Sequence, residues 1–230
     1  MAFTRPEERY ERLRHAHPAL FRDSGETPIR ILQDPIEVAK AAQLSLARVR
    51  NLGLPDEAAT LGVVLEDQYV IIVRDPVQFR DGTYGSYLRI IEKPIGIPGV
   101  AILPICSGQI VLCRIFRHAP RSEQLEIPRG FGEPGRLPEE NARSELLEEI
   151  GASEVTLGSL GLVHADTGLL TSPTELFLAR VSSYTGPADA EITCVREFPL
   201  NSVMRMIDAG EITDSFTIAA VYRAQLRGLV

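Results

Sequence analysis

The sequence predicts an α+β protein, with a mixed β-sheet covered by helices on both sides and a β-hairpin region and a helical extension ahead of it. Three observations carry this. From Leu61 onward, short β-branched runs recur between turn residues, as strands do. One helical segment, 138–150, interrupts those runs and two more follow residue 200, so helices alternate with strands and also close the chain. With 44% hydrophobic residues in 230 positions, the chain can cover both faces of such a sheet.

Residues 1–58 differ from the rest and read as a helical extension. Pro6-Glu7-Glu8 opens a helical pattern that runs to about His17 and stops at Pro18. Asp23-Ser24-Gly25 marks a turn before the short apolar run Ile29–Leu32. Asp34-Pro35 pairs an N-cap side chain with a proline at the first helical position, and the helix it starts ends at Gly53. Val38, Leu44, Leu46, Val49 and Leu52 are its expected packing face. His15 and His17, near the end of the first helix, read as surface side chains.

Residues 59–97 read as an antiparallel β subdomain. LGVVLEDQYVIIVRDPVQF holds two β-rich runs parted by Glu66-Asp67, and Asp81-Gly82 is a hairpin turn leading into TYGSYLRIIE. Residues 98–230 form the third expected domain. Two strands flank Ser107-Gly108, EQLEIP runs into a glycine loop, and two more strands follow around a Gly/Thr/Ser/Pro loop. EITCVREFPL is the last strand, and the closing segment reads as two helices around Gly210.

The stretch GFGEPGRLPEENARSELLEEIGA, residues 130–152, carries the chemistry. Leu137-Pro138 places proline in the first helical turn, Glu139 and Glu140 favour the positive end of the dipole, and Gly151 supplies the stop. Ala142, Leu146 and Ile150 recur every four residues as a packing stripe. Glu145, Glu148 and Glu149 then project together from another face within one turn. Three like charges so close repel one another, and a divalent cation turns that cost into a binding site. Carboxylate oxygens on so short an arc suit Mg²⁺ or Mn²⁺, ions that work on phosphate oxygens. A glutamate-rich face is also, commonly, plain solvated surface. The glycine loop and the LEIPRG before it favour the site.

These residues resemble the Nudix box, a loop–helix–loop of the form Gly-x5-Glu-x7-Arg-Glu-U-x-Glu-Glu-x-Gly-U, where U is aliphatic. Gly130 takes the first glycine, and Glu145, Leu146, Glu148, Glu149, Gly151 and Ala152 take the end. Two positions depart: Arg136 stands at the first glutamate, and Ser144 at the arginine. An acid and a base are replaced together, which leaves a rearranged ion pair open, with Arg136 or Arg143 as the cation.

The resemblance implies a Nudix-like α/β/α sandwich over residues 60 to 225. The hairpin at Asp81-Gly82 and the tail PLNSVMRMIDAGEITDSFTIAA are most similar to the ADP-ribose pyrophosphatase branch. That likeness implies that Glu145, Glu148 and Glu149, with the main-chain carbonyl of Arg129, hold Mg²⁺ or Mn²⁺. It places Arg117, in RIFRHAP, on the diphosphate or ribose, with Arg129 as a further substrate contact. It makes Glu191 the candidate base, with Asp189 nearby, and offers Tyr84 or Tyr87 for stacking on adenine. His118 and His164 are weaker contacts. A homodimer is implied by the branch alone.

Two functions follow. One is hydrolysis of the pyrophosphate in a nucleoside diphosphate linked to another group, ADP-ribose first, giving AMP and ribose 5-phosphate. The other is a non-catalytic nucleotide sensor or interaction module, which Arg136, Ser144 and the N-terminal helices favour. A net charge of −7 without a long basic run excludes an extended nucleic-acid footprint. Cys106, Cys113 and Cys194 are odd in number and lack metal-site spacing, so free thiols are expected. A charged start without a signal peptide, and no apolar run of membrane-spanning length, lead to the expectation of a soluble cytoplasmic protein.

Overall fold

A computed structural model describes residues 5–23, 27–187 and 189–230. Ser24 and Gly25 of the expected turn lie outside the described residues. The chain forms two compact units, one running to Lys93 and including Asp166–Thr171, the other made of Pro94–Ala165 and Ser172–Val230.

The first unit holds helices α1 (Pro6–Ala16) and α2 (Pro35–Asn51) and strands β1 (Ile29–Ile31), β2 (Gly62–Glu66), β3 (Val70–Phe79) and β4 (Tyr84–Glu92). The sequence boundary at residue 58 runs inside this unit. β3 is the central strand, pairing β4 along one edge and β1 and β2 along the other, all antiparallel. Turn chemistry sets the two hairpins. Asp67 Oδ1 accepts from the Tyr69 and Val70 N–H groups, and Asp81 Oδ1 accepts from Thr83 N–H, beside Gly82 at φ 82°.

Asp34 caps α2 as expected, accepting from Ile36 N–H at 3.0 Å and Glu37 N–H at 3.1 Å. The expected packing face needs correction. α2 buries Ala41 and Ser45, with Val38, Leu46 and Val49 half-buried, whereas Leu44 and Leu52 are exposed. Leu44 stands off to one flank of the stripe through 38, 41, 45 and 49, and Leu52 lies past the last helical turn.

A buried charge fixes α1. Asp75 on β3 is 2% exposed; it accepts from Arg89 Nε at 2.6 Å and from the hydroxyl of Tyr10. Arg89 also donates to the Leu20 carbonyl at 2.7 Å and lies over the Phe21 ring, which Tyr10 meets edge-on. Gly62, at φ 97°, leaves room for the Pro6 carbonyl, which an added Cβ would approach to 2.6 Å.

The second unit is an α/β/α sandwich on a mixed seven-stranded sheet of order β11-β6-β5-β10-β9, with β7 against β6 and β8 against β5. These are β5 (Gly99–Cys106), β6 (Gln109–Arg117), β7 (Ser122–Glu126), β8 (Arg129–Gly130), β9 (Thr156–Val163), β10 (Thr174–Val181) and β11 (Ile192–Phe198). β10 runs parallel to β5 and the remaining pairs are antiparallel. The β5–β6 hairpin turns through Ser107 and Gly108, both at positive φ.

Alternation along the central strands divides the core. Val100, Ile102, Val111, Cys113 and Phe177 pack with Ala142, Leu146 and Ile150 of helix α3 (Pro138–Ile150). Ala101, Leu103, Ile110, Leu112 and Leu178 pack with Val203 of α4 (Leu200–Asp208) and Ala220, Val221 and Ala224 of α5 (Ser215–Leu226). A sheet buried on both faces requires such near-continuous apolar strands. Cys106 and Cys113 are buried free thiols; Cys194 is only half-buried. No helix among the described residues is long and apolar enough to cross a membrane.

Candidate active site

The site is assembled where α3 meets the end of β8. α3 starts at Pro138, with Glu140 accepting from the Leu137 N–H at 2.9 Å. It stops at Gly151, φ 62°, where a Cβ would fall 2.0 Å from Thr185 Oγ1. Its length and phase are thereby set, and the Ala142–Leu146–Ile150 stripe turns the acidic face toward the glycine loop.

Gly130 has a steric duty there. A Cβ at this position would lie 1.7 Å from Glu145 Oε1, so only glycine lets the Glu145 carboxylate rest against the loop backbone. The Arg129 backbone N–H favours the ionised form of Glu149. Ile102 N–H is bonded to the Pro128 carbonyl, which turns the Arg129 peptide groups away from β5. In a strand the N–H and C=O of one residue leave on the same side, so the Arg129 carbonyl also faces the side of the acidic helix.

Electrostatics mark two of the three glutamates. Glu149 is pushed up to about 8, first by burial and then by Glu145, against the pull of Arg117 and the Arg129 N–H. Glu145 is pushed up to about 7 by burial, then by Glu148, Glu133 and Asp189, with Arg136 acting the other way. Glu149 Oε2 is buried with no hydrogen-bond partner among the described residues, and Glu148 is exposed. No three acidic, His or Cys side chains among the described residues form a ready-made cation cage. The donor chemistry nonetheless fits a hard cation: an orphaned carboxylate oxygen, two carboxyls raised by burial and by neighbouring acids, and a main-chain carbonyl on the same side.

Beside the acids lies a cleft of about 310 Å³, lined by Arg117, His118, Gln124, Glu126, Arg129 and Asp214 among others. Glu126, its side chain 2% exposed, is the keystone. It accepts from Arg117 Nη2 at 2.7 Å and Nε at 3.0 Å, and pairs with Arg129 Nη2 at 3.2 Å. Arg129 Nη1 reaches Asp214 at 3.3 Å, and its guanidinium lies over the Phe216 ring. Asp214 caps α5 through Thr217, whose hydroxyl also accepts from the buried Ile127 N–H. Two arginines are thus held in fixed poses, suited to an anion such as a diphosphate.

Arg117, Arg129, Glu145 and Glu149 therefore stand in one neighbourhood. Glu191 is exposed, and its N–H donates to Asp189 Oδ1 at 2.7 Å. The charge in this loop that acts on Glu145 and Glu149 is that of Asp189. Tyr84 and Tyr87 belong to the first unit. Tyr84 donates to Glu37 and carries Lys40 over its ring, and Tyr87 donates to the Gly168 carbonyl. His118 bonds Arg121 at the edge of the cleft, and His164 is exposed. Sequence reasoning missed Glu126 and Asp214. The signals were present: an acid between two arginines in RIFRHAPRSEQLEIPRG, and Asp-x-x-Thr at the head of a helix.

A glycine loop closing on an acidic helix, mounted on an α/β/α sandwich, defines a protein of the Nudix hydrolase class. The NUDIX domain model matches residues 97–216, and the chain belongs to that family. Its curated relatives include the ADP compounds hydrolase NudE of Escherichia coli (strain K12), 24% identical over 157 residues, which span 66% of this chain and 83% of that protein. Among solved structures, one titled as the crystal structure of an ADP compounds hydrolase superposes with a TM-score of 0.59. It is 21% identical, and the match covers 73% of this chain and 93% of that one.

Proposed function

We propose that this protein is a metal-dependent hydrolase that splits the pyrophosphate of a nucleoside diphosphate linked to another group, with ADP-ribose as the lead substrate. The observation that carries this is Glu145 lying against Gly130 beside Glu149, whose Oε2 is buried and without a hydrogen-bond partner among the described residues. Glu145, Glu148, Glu149 and the Arg129 carbonyl would hold Mg²⁺ or Mn²⁺. When bound, such an ion neutralises phosphate charge and lowers the pKa of a water. Arg117, oriented by Glu126, would grip the diphosphate, with Arg129 beside it, and Tyr84 or Tyr87 would contact the adenine. Glu191 would take the proton from the attacking water, with Asp189 as the neighbouring carboxylate.

The names of the two relatives support ADP compounds as the substrate class. A homodimer belongs to the same reading, supported by the exposed Leu65, Tyr69 and Leu88 of the first unit. Sedimentation at micromolar concentration tests it, and a single monomer peak would refute it. Free thiols at Cys106, Cys113 and Cys194 support a cytoplasmic location.

The deciding experiment is product analysis on a nucleotide panel with Mg²⁺, with Mn²⁺ and with EDTA. AMP and ribose 5-phosphate from ADP-ribose, released only with metal, is the expected result. The second reading, a nucleotide sensor, is favoured by Arg136 and Ser144 in place of the family's acid and base. Turnover of nothing on the panel, with one nucleotide still raising the melting temperature, would establish it instead.

A further inference from the structure

Three consecutive residues of the loop meet three positions of one helical face. The Arg129 N–H meets Glu149, Gly130 lies against Glu145, and the Phe131 carbonyl accepts from Asn141 Nδ2 at 2.7 Å. Asn141, Glu145 and Glu149 follow at intervals of four and share a face of α3. Gly132 seats the same loop from the other side, where a Cβ would fall 2.6 Å from the Pro98 carbonyl.

Asn141 is 2% exposed, and its Oδ1 is buried with no hydrogen-bond partner among the described residues. Turning the amide over would set Oδ1 against the Phe131 carbonyl, so the contact itself fixes which end is the orphan. Stability alone does not call for this residue. Alanine is the better helix former and would remove the orphaned acceptor, giving up only the bond to the Phe131 carbonyl.

We propose that Asn141 is a positioning residue of the cation site. Its Nδ2 holds the loop so that the Arg129 carbonyl stays level with Glu145 and Glu149. Its Oδ1 accepts a hydrogen bond from a water in the cation's coordination shell. This rests on the metal-dependent function proposed above. Mg²⁺ keeps several waters when carboxylates bind it, and those waters need acceptors.

The test measures Mn²⁺ binding by electron paramagnetic resonance on the full chain, in the wild type, Asn141→Ala and Asn141→Ser. Melting temperatures in EDTA and the Mn²⁺ dependence of hydrolysis accompany it. Asn141→Ala should still fold yet bind Mn²⁺ about 10-fold or more weakly, the scale of lost outer-shell partners. Its kcat should return at high Mn²⁺. Asn141→Ser, too short to bridge to Phe131, should also lose affinity, and it decides the matter if the alanine variant does not fold. Unchanged Mn²⁺ affinity in the folded variants, whether or not they melt lower, would overturn the proposal and leave the hydrolase reading standing. A wild type that binds Mn²⁺ no better than the double variant Glu148→Gln with Glu149→Gln would instead remove the metal-dependent function beneath it.

Discussion

Arg136 Nη1 donates to Ser144 Oγ at 3.1 Å, so the two positions at which this box departs from the family pattern are bonded to each other. The same guanidinium pairs with Glu133 at 2.9 Å and acts favourably on the ionised form of Glu145. Arg143, the other candidate cation, is spent on the Val155 carbonyl. The charge absent at 144 is therefore supplied from 136, across the loop. Ser144→Arg alone would set two guanidiniums side by side, and kcat/KM for the substrate found on the panel should fall several-fold. Adding Arg136→Glu restores the family's acid and base and should recover the loss. A double-mutant cycle measures the coupling. Additive effects would mean that the two positions do not act together.

Glu148→Gln and Glu149→Gln should each lower the hydrolytic rate by on the order of 10²-fold or more, as removal of cation-held charge stabilisation does. Circular dichroism should show an intact fold, because Glu148 is exposed and Glu149 Oε2 has no hydrogen-bond partner among the described residues. Near-normal rates in both variants would sink the assignment.

Metal-free protein should lose stability as pH rises. Glu145 is raised to about 7 and Glu149 to about 8, well above the roughly 4.3 of an unfolded glutamate. A group raised in this way binds its proton more readily when folded. Its contribution is complete below the unfolded value and vanishes as pH climbs through the folded one. The melting temperature in EDTA should therefore decline from the acid side up to slightly alkaline pH, and millimolar Mg²⁺ should restore most of it. A melting temperature in EDTA that does not change over that range would contradict the burial of these carboxyls.

Glu126→Ala should destabilise the fold by about 3–5 kcal/mol, because removing one partner of a buried pair strands the other. Here two guanidiniums, Arg117 and Arg129, would be stranded, and urea unfolding reads the cost. Glu126→Gln keeps the shape but not the charge. It should raise KM several-fold more than it lowers kcat, as the arginines lose their fixed pose. Equal stability and KM in both variants would show that the arginines do not depend on Glu126.

Local patterns carried most of the fold. The Asp34 cap, the Asp81-Gly82 hairpin, the Ser107-Gly108 turn and the proline-to-glycine span of α3 each depend on residues a few positions apart. What escaped depends on partners distant in sequence. Glu126 matters because Arg117 and Arg129 converge on it, and Arg129 reaches Asp214 from 85 positions away. The packing face of α2 failed for a related reason: counting apolar residues favoured Leu44 over the small Ala41 and Ser45, which let the helix approach its sheet closely. The acids themselves were legible from spacing; their burial and the loop that meets them were not.

Asp75 gives the first helix a meaning for anyone who would shorten this protein. The Tyr10 hydroxyl and the Arg89 guanidinium share one buried carboxylate, and the Leu20 carbonyl takes the remaining reach of Arg89. A chain begun after Phe21 would keep the charge and lose the Tyr10 hydroxyl that helps to solvate it, and it would open the aromatic lid over it to water. The N-terminal segment is then better understood as the missing wall of a small sheet than as a tail. Trimming toward a minimal catalytic fragment should yield aggregation before it yields activity.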